Sequence, residues 1–405
     1  MEAQWTPMRW PSAWKDPNAV NLLQGTGIDC LVIGAGDDLA PVRSRAREAG
    51  LHVADLAAPP AGVAVVKGEW PGVKTGRNEG QTQTGPTGVP WVDSNGWAIR
   101  LARAEQPEAQ VWVDAPPAAN AVIAADSYLI AMADSAAYGG RWIISLDNAL
   151  AAAMDAQKPE AEKPWARVKE TAAFFAAHQA WREYAPFAVL GVISDFSGAN
   201  EFFSRELLNL LARAGQHCRV LLKREPCATD GLRALLYADA EPLTPALRKQ
   251  ILDFVEGGGL LITHQWPAPL ERELPAPVDG FSMFAVGKGK IAISKEPPTD
   301  PYAWANDSVI LVSHRYDLVR FWNGGAAASY YTVSPDRRRA VVHLLFYSYR
   351  GPDAATVRIV GRYRAVRVAT VDSPQVAGVQ MEARKDAVEI HLPQVSQYVA
   401  LQLEA

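Results

Sequence analysis

Ala234-Leu-Leu-Tyr-Ala-Asp-Ala-Glu-Pro-Leu-Thr-Pro-Ala-Leu-Arg-Lys-Gln-Ile-Leu-Asp-Phe-Val-Glu-Gly-Gly-Gly-Leu-Leu-Ile-Thr263 spells a strand, a loop, a helix and a second strand in one stretch. Leu232–Tyr237 is a run of strand length. Thr244 is a natural N-cap, and Pro245 fits the first helical position, where no N–H is needed. The helix runs to Glu256, Gly257-Gly-Gly259 stops it, and Leu260–Thr263 resumes as a strand. Upstream, Phe187-Ala-Val-Leu-Gly-Val-Ile193 has no polar position, as a strand buried on both faces requires. A helix over Asn200–Ala214 closes at Gly215, and His217–Leu222 is the next strand. Strands separated by helices pair in parallel through right-handed crossovers. Residues 185–275 are therefore expected to form a doubly wound α/β domain.

Residues 1–184 alternate in the same way. Strands are expected at Ile28–Ile33, Leu51–Ala54, Val63–Val66, Val89–Val92, Gln110–Val113 and Arg141–Ser145. Helices are expected at Leu39–Ala49, Asn95–Ala104, Ala121–Tyr138 and Pro164–Tyr184. Five or six strands fall short of the eight in a full (β/α) barrel. The segment is an incomplete barrel, or one with a further strand near Met8–Trp14. From about Phe281 the helical period is lost. Arg339–Phe346, Thr356–Val360, Val388–Leu392 and Tyr398–Leu403 alternate instead, with turns at sandwich spacing. The fold class is α/β: an incomplete (β/α) barrel (1–184), a doubly wound α/β domain (185–275) and a C-terminal β-sandwich (276–405).

Composition removes several classes of function. With 40 basic and 44 acidic residues the net charge is −4, which gives no bulk attraction to nucleic acid. No apolar run reaches the roughly 18–20 residues of a membrane span. Met1-Glu-Ala-Gln-Trp-Thr-Pro7 has neither a basic lead nor an apolar core, so a cytoplasmic protein is expected. An exported chain with its leader removed would show the same start. Cys218 and Cys227 flank a strand and stand on the order of 25–30 Å apart if extended, against the roughly 7 Å a disulfide tolerates. The seven His do not cluster and no H-E-x-x-H spacing occurs, so no metal is expected. Val32-Ile-Gly-Ala-Gly-Asp-Asp38 imitates a dinucleotide fingerprint. Leu39 replaces the third Gly, and two Asp would repel a pyrophosphate. No cofactor is expected.

The order of parts and the stretch Ala234–Thr263, with its V-E-x-G-G-x-L pattern, resemble the multidomain glycoside hydrolases of the β-galactosidase type. In those enzymes a barrel precedes a glutamine-amidotransferase-like domain and a small β domain. The resemblance implies a glycosidase acting on a carbohydrate. It also implies a middle domain used for assembly, hence a homo-oligomer. Ala238-Asp-Ala-Glu241 offers that domain no nucleophile after its strand, so it is expected to be inert.

The candidate site centres on Gly85-Pro-Thr-Gly-Val-Pro-Trp-Val-Asp-Ser-Asn-Gly-Trp97. Carbohydrate sites combine flat apolar faces for sugar C–H surfaces with carboxylates and amides for hydroxyls. Active sites of α/β barrels lie at the C-terminal ends of the strands, and four carboxylates end strands here: Glu69, Asp93, Asp114 and Asp147. Glycoside hydrolysis needs two carboxyl groups, one to donate a proton and one to attack or to activate water. Asp93, between Trp91 and Trp97, and Asp147, beside Asn148, are the expected pair, with Glu69 and Asp114 in reserve. The competing task for Asp147 or Asp114 is to cap the next helix. Trp70, Trp91, Asn95, Trp97 and Asn148 are the expected substrate contacts. A catalytically inactive glycan-binding or scaffold protein of the same architecture is the alternative.

Overall fold

The computed structural model describes residues 5–36, 38–74, 76–78, 81–83, 91–322, 326–348 and 354–405. The first segment contains six short parallel strands, one of them split in two. Their lateral order is Val63–Lys67, Gln110–Asp114, Arg141–Trp142 with Ile144–Ser145, Pro7–Arg9, Cys30–Val32, His52–Ala54. This is sequence order taken cyclically, the last strand pairing with the first. No register joins His52–Ala54 to Val63–Lys67 among the described residues. Cys30, Val32, Ala54, Trp112 and Ile143 share one small core with Val63 and Val65. Their neighbours Leu31, Val111, Val113 and Ile144 belong to the larger core shared with the helices, as period-two alternation demands.

Pro7–Arg9 is the further strand sought near Met8–Trp14. It is too short to show a period, yet it joins the two halves of the sheet. The strand expected at Val89–Val92 is instead Trp91–Asp93, paired antiparallel with Gly72–Lys74 outside the parallel set. The helix expected over Pro164–Tyr184 ends at Ala177, and a 3-10 turn covers Gln179–Glu183.

The middle sheet has seven strands. Cys218–Leu222, Leu190–Ser194, Ala234–Tyr237, Leu260–Thr263 and Gly289–Ser294 are parallel, and Phe281–Val286 and Glu273–Leu274 complete the edge antiparallel. Among the parallel strands this is the 2-1-3-4-5 order of a doubly wound sheet. Thr244 caps its helix as expected, its Oγ1 accepting from the Leu247 amide at 3.3 Å with Pro245 following. The limit drawn at residue 275 does not coincide with a sheet boundary. Phe281–Val286, expected to open the all-β segment, is hydrogen-bonded into the middle sheet. The helix Pro301–Val312, absent from the sequence reading, packs its Trp304 and Leu311 into the same core as Leu207 and Leu211.

Ala185–Pro186 and the strands after Val312 form two antiparallel sheets around a common core that includes Tyr331, Val342, Val357, Ile359, Val388 and Leu401. The five-stranded sheet is buried on its other face too. Tyr330, Leu345 and Tyr398 pack into the core of the first segment, with Tyr398 against Phe174 and Phe175. Arg100, buried, ties the first segment to the second. It donates to Leu208 O at 3.0 Å and to Cys218 Sγ at 2.9 Å. Among the described residues no helix is long and apolar enough to cross a membrane.

Candidate active site

A cleft of ≈ 810 Å³ opens where the first segment meets the middle one. One wall is the turn Lys67–Glu69, Asp93 and the helix Gly96–Glu105. The other is the helix Glu201–Arg213, which contributes Phe202, Arg205, Glu206 and Asn209. Gly68 lets the turn lie close to its neighbours: a Cβ there would stand 2.2 Å from Val113 and 2.8 Å from the Asn95 amide oxygen. Gly96 is fixed by the same kind of contact, a Cβ meeting the Tyr138 ring at 2.4 Å.

Asn95 and Asp134 hold this wall in shape. The Asn95 side chain accepts from the Glu69 amide at 2.9 Å and donates to Glu69 O at 2.9 Å. Asp134, fully buried, receives four hydrogen bonds: Ser94 Oγ and Tyr347 OH donate to one oxygen, and the Asn95 amide and Nδ2 to the other. Burial raises the Asp134 pKa against the lowering effect of those bonds. Asn95, expected as a substrate contact, thus spends its amide group on positioning Glu69.

Glu206 also lines the cleft, a residue the sequence pattern did not single out. Burial lifts its carboxyl above the usual range, and the negative charge of Asp93 adds to the rise, while Asn209 and Arg213 oppose it. It sits inside a helix, far from any strand end, so a search of strand ends passes it by. The available signal was its spacing from Asn209 and Arg213, which share its helix face at i+3 and i+7. Phe202 is 75% exposed at the cleft rim, and the Arg205 guanidinium lies 5.5 Å from the Trp97 ring centre.

Of the expected residues, Glu69, Asp93, Asn95 and Trp97 share the cleft. Asp147 does not line it. It is 2% exposed and caps a helix, accepting from the amides of Ala149 and Leu150, from Ile123 N and from Tyr128 OH. Asn148 beside it donates to Ala119 O. Asp114 is ion-paired with Arg9 at 2.5 Å, and Trp70 packs edge-on against Tyr128 and Trp142. The Trp91 side chain and residues 84–90 lie outside the described residues, as does Asp37. Asp147→Ala is expected to cost about 2 kcal/mol in denaturant unfolding, for a lost cap and orphaned donors. Any turnover of the folded protein should stay within about twofold. A hundredfold loss of turnover at unchanged stability would return Asp147 to the chemistry.

Asp195, Asp239 and Glu241 gather at the ends of two middle-sheet strands and are the described group best placed for a cation. Lys223 already stands among them, its Nζ 3.2 Å from Asp239 and 3.0 Å from Glu241, so a metal would have to displace an ammonium.

No protein-family model and no curated protein matches the sequence. Solved structures do match, and they are glycoside hydrolases. α-L-Fucosidase isoenzyme 2 from Paenibacillus thiaminolyticus superposes with a TM-score of 0.55 at 10% identity, over 99% of this chain and 100% of that one. The β-galactosidase from Bacillus circulans sp. alkalophilus gives 0.53 at 9% identity, over 96% and 98%. A rhamnosidase from Novosphingobium sp. PP1Y gives 0.52 at 11% identity, over 91% of this chain and 38% of its own length. At such identities the likeness is one of fold.

Proposed function

We propose that the chain is a glycoside hydrolase whose active site is the cleft between its first and middle segments. Glu206 is the acid that protonates the leaving oxygen. Asp93 is the partner carboxylate that attacks the anomeric carbon or activates water, and Glu69 is the alternative for that second task. The observation that carries this reading is the pairing itself: a cleft shared by Asp93 and Glu206, in which burial and the Asp93 charge both raise the Glu206 pKa. A carboxyl whose surroundings favour its protonated form, with a second carboxylate in the same cleft, provides both an acid and a base or nucleophile. Neither a metal nor a cofactor enters the reaction as proposed. Trp97 and the exposed Phe202 supply apolar faces for sugar rings.

In this reading the six cyclic strands are a shortened (β/α) barrel. The middle sheet, carried on to Val312, is the glutamine-amidotransferase-like domain, and the two antiparallel sheets are a C-terminal β-sandwich. The carbohydrate substrate follows from the site chemistry and from what the neighbouring structures are named for. A panel of aryl glycosides tests it. The expected result is aryl release from at least one member by the wild-type protein; sugar binding without release from any member would leave only a binding protein.

Assembly is part of the proposal. The middle domain has a complete core and no nucleophile at its strand end, so its use is as a contact surface. A homo-oligomer is expected, and light scattering at micromolar concentration checks it; a monomer mass would remove the idea.

A further inference from the structure

A second, much smaller cavity lies away from the cleft, where the first segment packs on the five-stranded sheet. Its volume is ≈ 20 Å³, room for a single water-sized species. Arg103, Arg141, Arg182, His178 and His343 contribute to its lining, and no Asp or Glu does. Arg141 is 6% exposed. Its Nη1 donates to Gly140 O at 2.6 Å, and its Nε has no partner among the described residues. Arg103 donates to the Tyr138 carbonyl at 3.3 Å. Arg182 has the charge of Asp29 nearby, yet burial still lowers its pKa to about 10. The two histidines bring no compensation and no further charge. Burial lowers both, His343 to about 3. His178 is bonded to Phe174 O and His343 to Tyr398 OH.

The chamber therefore gathers three guanidinium groups, that of Arg141 buried, with no carboxylate in its lining. A buried charge without a partner costs several kcal/mol. A water molecule would accept the spare N–H donors but leave the charge in place, whereas an anion answers both. The narrow space suits a small anion better than sulfate, phosphate or a carboxylate. We propose that this chamber binds one monatomic monovalent anion, chloride in ordinary salt, as a structural counter-ion between the first segment and the β-sheet. The anion is held by Arg141 and Arg103, with Arg182 closing the site. The inference is independent of the hydrolase reading.

The test compares unfolding midpoints in sodium chloride and sodium gluconate at equal ionic strength, together with diffraction from crystals grown in bromide. The wild-type midpoint should rise by a few degrees with chloride and then saturate, as stabilisation by a ligand does. A bromide anomalous peak should stand in the chamber. Arg141→Met should lose the saturable rise while folding normally in gluconate. If that variant fails to fold, the bromide peak in wild-type crystals decides alone. A wild-type chamber without bromide, or an equal chloride response in Arg141→Met, would overturn the proposal.

Discussion

Glu206→Gln is expected to lower turnover of a glycoside with a poor leaving group by at least about two orders of magnitude, the usual worth of acid catalysis. The loss should be far smaller for a dinitrophenyl glycoside, whose leaving group departs without a proton. The reason is specific to the Glu206 environment. Burial and the neighbouring Asp93 charge favour its protonated form, as the proposed acid role requires. For the same reason kcat/KM should fall as pH rises through the elevated Glu206 pKa, and the variant should lack that alkaline limb. Asp93→Asn is expected to cut turnover on both substrates and to move the alkaline limb down, because the like charge that raises Glu206 is gone. Both changes are nearly isosteric, so unfolding midpoints should stay within a few degrees of wild type. Equal losses on the two leaving groups in Glu206→Gln would show that Glu206 is not the acid.

Asp134→Ala should be the most destabilising single change near the site, by about 3–5 kcal/mol. It strands four donors from Ser94, Asn95 and Tyr347 around an empty carboxylate position, each orphaned group costing about 1–3 kcal/mol, partly recovered by local collapse. Asp134→Asn should behave differently. The amide oxygen can take both Asn95 donors, and the amide nitrogen can donate to the two hydroxyls, which rotate to accept. Burial is the main cause of the raised Asp134 pKa. An acid whose folded pKa is raised contributes its stability below the unfolded value, and loses it as pH rises through the folded value. The stability of the wild type relative to Asp134→Asn should thus be greatest near pH 4 and fall as pH rises through the folded Asp134 pKa. Urea unfolding at several pH values checks this, and a constant difference between the two proteins would contradict it. Since Asn95 shapes the Glu69 turn through its amide, the Ala variant should also lose activity in whatever fraction folds.

The sequence was most legible where periodicity is long and capping is explicit. Thr244-Pro245 marked a helix start to the residue, and the alternating strands around Val342 and Leu401 were visible from their pattern. It was least legible where elements are short or their period is masked. Pro7–Arg9 gains its meaning only from partners at Leu31 and Ile144. The helix Pro301–Val312 is apolar on most sides, so it carries no amphipathic signal. Site residues followed the same division. Glu69, Asp93 and Trp97 share the cleft, as their places near the ends of short strands and the start of a helix suggested. Asp147 ends a strand equally well, but its carboxylate is consumed by four donors, which position along the chain does not reveal. Glu206 required knowing that a helix of the middle sheet leans over the first segment. That is a fact of packing between segments, invisible to local pattern.

The most direct measurement is a crystal structure of the Asp93→Asn/Glu206→Gln protein soaked with a glycoside that the wild type cleaves. The account predicts an intact sugar in the cleft between the Glu69 turn and the helix Glu201–Arg213. Its glycosidic oxygen should lie within hydrogen-bond reach of residue 206, and a ring face against Trp97 or Phe202. An ordered sugar bound elsewhere on the protein, with that cleft empty, would contradict it.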